Sequence, residues 1–144
     1  MIRIYFPPND TNRIMDIWLN GNKQAHCFIP GSYWESCAQE VQSLLSQADV
    51  FVWEEEGLIK GFAGMQGNYL AGIFVDRAFR CTGIGKKLLD FIKKRYPSFS
   101  LSVYKENRRA LEFYLREGLT ITAEGMDEAT GHAEYTLTWN PQGA

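Results

Sequence analysis

Hydrophobic and polar positions change period several times along this chain, and each change marks an element. Ile2–Phe6 reads as a strand stopped by Pro7-Pro8. Asn9 or Asp10 can cap a helix that places Ile14, Ile17 and Trp18 on one face and ends near Asn20-Gly21. After a loop over Lys23–Gly31, a second helix carries Cys37, Val41, Leu44, Leu45 and Ala48 at helical spacing. Three strands follow: Val50–Glu54, Leu58–Met65 and Tyr69–Val75, joined by turns at Glu55-Glu56-Gly57 and Gln66-Gly67-Asn68, so they should run antiparallel. Gly83-Ile84-Gly85 opens a helix with Ile84, Leu88, Phe91 and Ile92 in a 3.6-residue repeat, ended by Pro97. Phe99–Val103 is a short strand, Asn107–Glu117 a helix stopped by Gly118, and Leu119–Glu124 with Glu134–Trp139 a closing hairpin. The order is βααβββαβαββ. Strands 4 and 5, joined through a helix, should be parallel with a right-handed crossover. The fold class is α/β: a mixed, mostly antiparallel sheet with helices on both faces.

The chain has 144 residues, 45% hydrophobic and 14% aromatic, which suits one domain over residues 1–144 and excludes a disordered tail. No run approaches the ~18 apolar residues of a membrane span, and the N-terminus has no signal-peptide core, so a cytoplasmic protein without membrane contact is expected. Cys27, Cys37 and Cys81 form no CxxC pair, so neither a disulfide framework nor a metal site is expected. The net charge of −2 conceals an asymmetry. Residues 77–109 hold ten basic and two acidic residues, whereas the rest of the chain holds five basic and fifteen acidic. One third is built to meet an anion, and the remainder suits a cation.

The basic block begins in a glycine turn. Arg80-Cys81-Thr82-Gly83-Ile84-Gly85-Lys86 lies between an apolar strand and an amphipathic helix. Two glycines let the backbone turn tightly, the helix N-terminus adds its positive end, and Arg80 and Lys86 add full charges. Together they make a pyrophosphate cradle. It is not a Walker loop, because Lys87 follows Lys86, nor a dinucleotide fingerprint, because Leu88 stands where a third glycine is needed. Downstream, Asn107, Ala110, Phe113, Tyr114 and Gly118 form a second motif. VxxxxRxxGxG from Val75 to Gly85, followed by NxxAxxFY, resembles the GCN5-related N-acetyltransferase (GNAT) family, with the element order matching essentially throughout. His26-Cys27-Phe28-Ile29-Pro30, Tyr33-Trp34, Phe51-Val52-Trp53-Glu54 and Lys105-Glu106-Asn107 are most similar to its small bacterial YiaC-type peptidyl-lysine acetyltransferases.

The resemblance implies splayed parallel strands 4 and 5, with acetyl-CoA as donor. The amides of Cys81, Thr82, Gly83, Ile84, Gly85 and Lys86, with Arg80, would hold the pyrophosphate. Ile73, Phe74 and Val75 would offer backbone to the pantetheine arm, Asn107 would bind its polar groups, and Ala110 belongs to the same motif. Tyr114 matches the family's general acid, a phenol of ordinary pKa near 10 that can protonate the departing sulfur. Many relatives carry a Glu on the fourth strand. Tyr69–Val75 has no acid, and Tyr69 is the polar candidate to order a water or bind the amine, with Glu54 a weaker alternative. The acceptor, a protein lysine or a small amine, should pass His26, Phe28, Tyr33 and Trp34. No nucleic-acid partner is expected, and the chain would act as a monomer or homodimer. A non-catalytic CoA-binding module is the competing class.

Overall fold

A computed structural model describes residues 1–141. Its elements are β1 (Ile2–Ile4), α1 (Thr11–Ala25), α2 (Gly31–Leu44), β2 (Asp49–Glu55), β3 (Leu58–Gln66), β4 (Tyr69–Val75), α3 (Ile84–Arg95), β5 (Phe99–Tyr104), α4 (Arg108–Arg116), β6 (Thr120–Asp127) and β7 (His132–Trp139). The expected order βααβββαβαββ is present. Seven strands form one sheet in the order β1-β2-β3-β4-β5-β7-β6. Every neighbouring pair is antiparallel except β4 and β5.

Both faces of the sheet are covered, as the apolar runs of its central strands require. Leu88, Leu89 and Ile92 of α3 and Tyr114 of α4 pack with Met65, Leu70, Leu101 and Leu137 on one face. On the other, Ile14, Ile17 and Trp18 of α1 and Trp34 of α2 pack on Val50, Val52 and Phe62. Along β4 the side chains divide accordingly: Leu70, Ile73 and Val75 face α3, and Phe74 faces α1.

Several boundaries differ from expectation, among them the closing hairpin, whose strands run Thr120–Asp127 and His132–Trp139. The helix expected to stop near Gly21 continues to Ala25. Glycine costs a helix interior about 1 kcal/mol, too little to end a helix that packs Ile14, Ile17 and Trp18 into the core. Ala48 falls outside α2, in an extended residue after a 3-10 turn over Leu45–Gln47. β1 ends at Ile4, before the proline pair. The stop after α3 is as expected: Tyr96 is extended, the conformation required before Pro97.

Candidate active site

The parallel pair β4 and β5 is bonded at one end only. Tyr69 pairs with Ser100, and no further rung joins the two strands among the described residues. On its other edge β4 is fully laddered to β3, with one irregularity: Gly64 pairs with Gly72 and Met65 with Leu70, leaving Ala71 as an extra residue. The bulge turns the strand where the pair separates. Beyond it, Ile73 and Val75 turn their backbone N–H and C=O groups toward the gap, a ready partner for an extended polar ligand, whereas those of Phe74 face β3.

The gap leads to the glycine turn. A short 3-10 turn over Arg77–Phe79 follows β4, held by the Asp76 carboxylate, which accepts from the Ala78 N–H at 2.8 Å. Cys81 and Gly83 adopt φ of 65° and 87°. With its left-handed residue at Gly83, α3 starts with no side-chain cap. Its first N–H groups therefore converge on one open spot. The Arg80 guanidinium is held below the usual arginine range, first by burial and then by Arg109 and Arg77. Three like charges gathered around uncapped amides favour an anion. Arg80 donates to Gln24 Oε1 at 3.1 Å and Arg109 to Cys81 Sγ at 3.5 Å, and the Thr82 hydroxyl is turned onto the Phe79 carbonyl. Lys86 points elsewhere: its Nζ meets Glu117 at 2.8 Å and Asp90 at 3.5 Å. Lys87 lies over Trp53, and Arg95 over Phe51 and Phe91. Part of the basic block is thus spent on the domain itself, and Arg77, Arg80 and Arg109 at the turn are the charges placed to meet a ligand.

Asn107 begins α4, its Oδ1 accepting from the Ala110 N–H at 3.3 Å. Seven residues on, two turns along the same face, Tyr114 is 7% exposed and packed with Phe113 at 5.1 Å between ring centres. Burial raises its phenol above the ordinary value, and Tyr69 is near enough to add to the shift. Tyr69, at the joined end of β4 and β5, keeps 38% of its surface open. Glu54, by contrast, is bound to Arg3 at 2.9 Å on the far edge of the sheet, which removes it as a base for this site.

The four expected acceptor residues divide into two groups. His26 and Trp34 stack at 5.2 Å and 29°, and Trp34 is buried against Trp18. Burial pushes the His26 imidazole down to about 4, and its Nε2 faces Asn107 Nδ2 at 3.2 Å. Phe28 and Tyr33 are half-buried and stand further forward. Phe28 meets Tyr104 at 5.8 Å and His132 at 5.0 Å. Burial, then Cys37 and then Asp127 push the Tyr33 phenol up to about 12. Tyr104, Asp127, His132 and Glu134 complete this wall and went unrecognised in the sequence, where they read as strand and loop residues. The Tyr104 hydroxyl donates to Asp127, and His132 Nδ1 meets Glu106 at 3.1 Å. Glu134 is held above the usual carboxylate range by burial and by Asp127. Where negative charge is crowded in this way, a cation relieves it. The chain thus carries an anion-favouring turn and a cation-favouring aromatic wall, with the buried Tyr114 phenol on the helix that Asn107 opens.

The Cys27, Cys37 and Cys81 thiols are free, no group of potential metal ligands occurs among the described residues, and no described helix is long and apolar enough to cross a membrane. The chain is 34% identical over 128 residues, 88% of each chain, to the peptidyl-lysine N-acetyltransferase YiaC of Escherichia coli K12. Its fold is similar to the solution structure of apo-form YjaB from Escherichia coli, with TM-score 0.85, 23% identity, and coverage of 100% of this chain and 98% of that one. It is also similar to yncA from Salmonella typhimurium, solved with its cofactor acetyl-CoA, with TM-score 0.65, 16% identity, and coverage of 100% and 95%. The Acetyltransferase (GNAT) family profile matches residues 12–119. With that match spanning both the glycine turn and the Tyr114 helix, the chain belongs to the GNAT family and is an acetyl-CoA-dependent acetyltransferase.

Proposed function

We propose that this acetyltransferase, as one catalytic domain over residues 1–144 acting in the cytoplasm, moves the acetyl group of acetyl-CoA directly onto the side-chain amine of a protein lysine. The convergence of the half-open β4 edge, the arginine-ringed turn and the buried phenol of Tyr114 carries the reading. The lysine acceptor rests on the relative named a peptidyl-lysine N-acetyltransferase and on the acidic, aromatic wall.

The amides of residues 82–86 and the Arg80 guanidinium bind the donor's pyrophosphate. The edge of Ile73–Val75 pairs with the pantetheine arm, and an N–H on this strand polarises the thioester carbonyl, a dipole fixed before the reaction begins. Asn107 keeps one N–H for the same arm after capping α4. Phe28 and Tyr33 hold the aliphatic stem of the acceptor, and Asp127 and Glu134 attract its charge. Tyr69 orders a water that takes the amine's proton. As the C–N bond forms and the C–S bond breaks, Tyr114 gives its proton to the sulfur. Its raised pKa keeps the phenol protonated and able to do so at neutral pH.

Free CoA release over a panel of lysine peptides and small amines tests this reading. Lysine peptides should give the highest kcat/KM, and Tyr114→Phe should lose turnover while still binding CoA. Preference for a small amine would overturn the acceptor assignment. Tight acetyl-CoA binding without transfer to any amine would overturn catalysis altogether.

A further inference from the structure

His26 was expected on the acceptor side, yet its ring nitrogen faces the donor side. One chain of hydrogen bonds fixes the direction of every proton there. Asn107 Oδ1 accepts from the Ala110 N–H at 3.3 Å, and only the oxygen of an amide can do so. The Asn107 amide is thereby oriented, and the group that meets His26 Nε2 at 3.2 Å is its NH2. An NH2 donates, so Nε2 must carry a lone pair. The ring proton then sits on Nδ1, which is buried without a partner. A proton left on an unpaired nitrogen costs free energy, so something else must favour this arrangement, and the bond to Asn107 is what favours it.

The ring has little freedom to do otherwise. Trp34 stacks on one face at 5.2 Å, while Tyr104 and Phe28 meet it edge-on at 5.1 and 5.7 Å. The His26 backbone N–H is bound to the Asn22 carbonyl at 2.9 Å, which closes α1. Among the described residues, the bond to Asn107 is the only side-chain hydrogen bond between the end of α1 and the start of α4, across 81 positions of sequence.

We propose that His26, as a neutral Nδ1–H tautomer, is a positioning residue that anchors the Asn107 amide, and with it the first turn of the helix that carries Tyr114, against the acetyl-CoA site. This rests on the assignment of Asn107 and Tyr114 given above. Asn107 is gripped at both ends, by Ala110 and by His26, and offers a ligand its second N–H in one fixed direction. His26 itself touches neither reacting group. Its low proton affinity fits this role and excludes it as a base at neutral pH.

Two measurements test the proposal, and the first needs no turnover. Long-range ¹⁵N–¹H correlation of the two histidines should give His26 as the Nδ1–H form in the wild type. In Asn107→Ala, where Nε2 loses its donor, the proton should move to Nε2. An Nε2–H tautomer in the wild type, or no change in Asn107→Ala, would overturn the proposal. The second compares His26→Phe, which keeps an aromatic ring but has no lone pair, with His26→Gln, whose Oε1 can accept from Asn107. The phenylalanine variant should raise KM for acetyl-CoA about threefold to tenfold, the value of one ordinary hydrogen bond, and the glutamine variant should recover part of that. Unchanged KM in His26→Phe would overturn the proposal. A wild-type enzyme that transfers no acetyl group would instead defeat the functional reading, leaving the tautomer result to stand or fall alone.

Discussion

Gly61 offers a quantitative test of how tightly the donor strand is seated. It lies in β3, opposite Trp53 on one side and Val75 on the other. A Cβ at this position would stand 2.9 Å from the Phe74 carbonyl oxygen, 3.2 Å from the Ile84 Cγ2 and 3.4 Å from the Val75 Cα. Two of those neighbours are backbone and cannot swing aside, so Gly61→Ala must push β4 outward or lift the first turn of α3. Overpacking of this kind costs about 1–3 kcal/mol. The smaller unfolded-state entropy of alanine returns about 0.4–1 kcal/mol, leaving a net loss of about 0.5–2.5 kcal/mol. For a chain of this length that corresponds to a Tm lower by about 2–10 °C. The displaced atoms belong to Phe74, Val75 and Ile84, in the proposed donor edge and the glycine turn, so KM for acetyl-CoA should rise several-fold. Gly64→Ala is the control: it lies on the same strand, and its added Cβ meets nothing within 4 Å. It should leave Tm unchanged or slightly raised. Scanning calorimetry and acetyl-CoA saturation curves on both proteins read the result. If Gly61→Ala matched the wild type in both Tm and KM, the close approach of β3, β4 and α3 would be refuted.

Tyr114→Phe should lower kcat by about 10²–10⁴-fold, the usual value of a general acid, with Tm nearly unchanged because the ring is kept. Because burial raises the Tyr114 pKa, the wild-type kcat profile should show no alkaline loss from this group at or below pH 10, which rate measurements from pH 6 to 10 would check. Arg80→Ala should raise KM for acetyl-CoA about tenfold, as expected for a charge-assisted contact, and should weaken the dependence of KM on ionic strength, measured between 0.05 and 0.5 M salt on the order of the Debye range. Arg3 holds the buried carboxylate of Asp10 at 2.7 Å and Glu54 at 2.9 Å. Arg3→Leu should cost about 2 kcal/mol by chemical denaturation, less than a fully buried pair because Arg3 is partly exposed. Arg3 holds the Asp10 pKa below its ordinary value. The stability this adds is present above the ordinary carboxylate pKa and is lost as pH falls through the lowered one, so the variant should show a shallower acid transition.

The fold was legible because local patterns and global topology agree. Alternating or continuous apolar runs bounded by Gly57, Gly67 and Pro97 placed strands and stops within a residue or two of where they fall. Parallel pairing of β4 and β5 followed from the intervening helix. The glycine turn and Asn107 were legible because a helix start has chemistry that can be read one residue at a time. What stayed hidden depends on partners distant in sequence. Lys86 looked free for phosphate because Glu117, which binds it, lies 31 positions away. The bulge at Ala71 is a mismatch of register with β3, and its one mark in the run Leu70–Val75, the isolated glycine at Gly72, went unread. Gly21 looked like a helix end, whereas the helix runs through it to Ala25. His26 looked like one group with Phe28, Tyr33 and Trp34 because they are close in sequence, and its hydrogen-bond partner is not. Only the folded chain brings it to Asn107.

The single rung between Tyr69 and Ser100 bears on the stability of the whole protein. A seven-stranded sheet with a seam open along most of its length forgoes hydrogen bonds that an intact one would have. In the binding mode proposed above, the donor's extended arm would restore part of them, acting as a temporary eighth strand bound to the native state alone. At a hundred times its Kd such a ligand adds about 2.7 kcal/mol of stability. Scanning calorimetry should therefore find the CoA-free protein melting earlier than the protein with saturating acetyl-CoA.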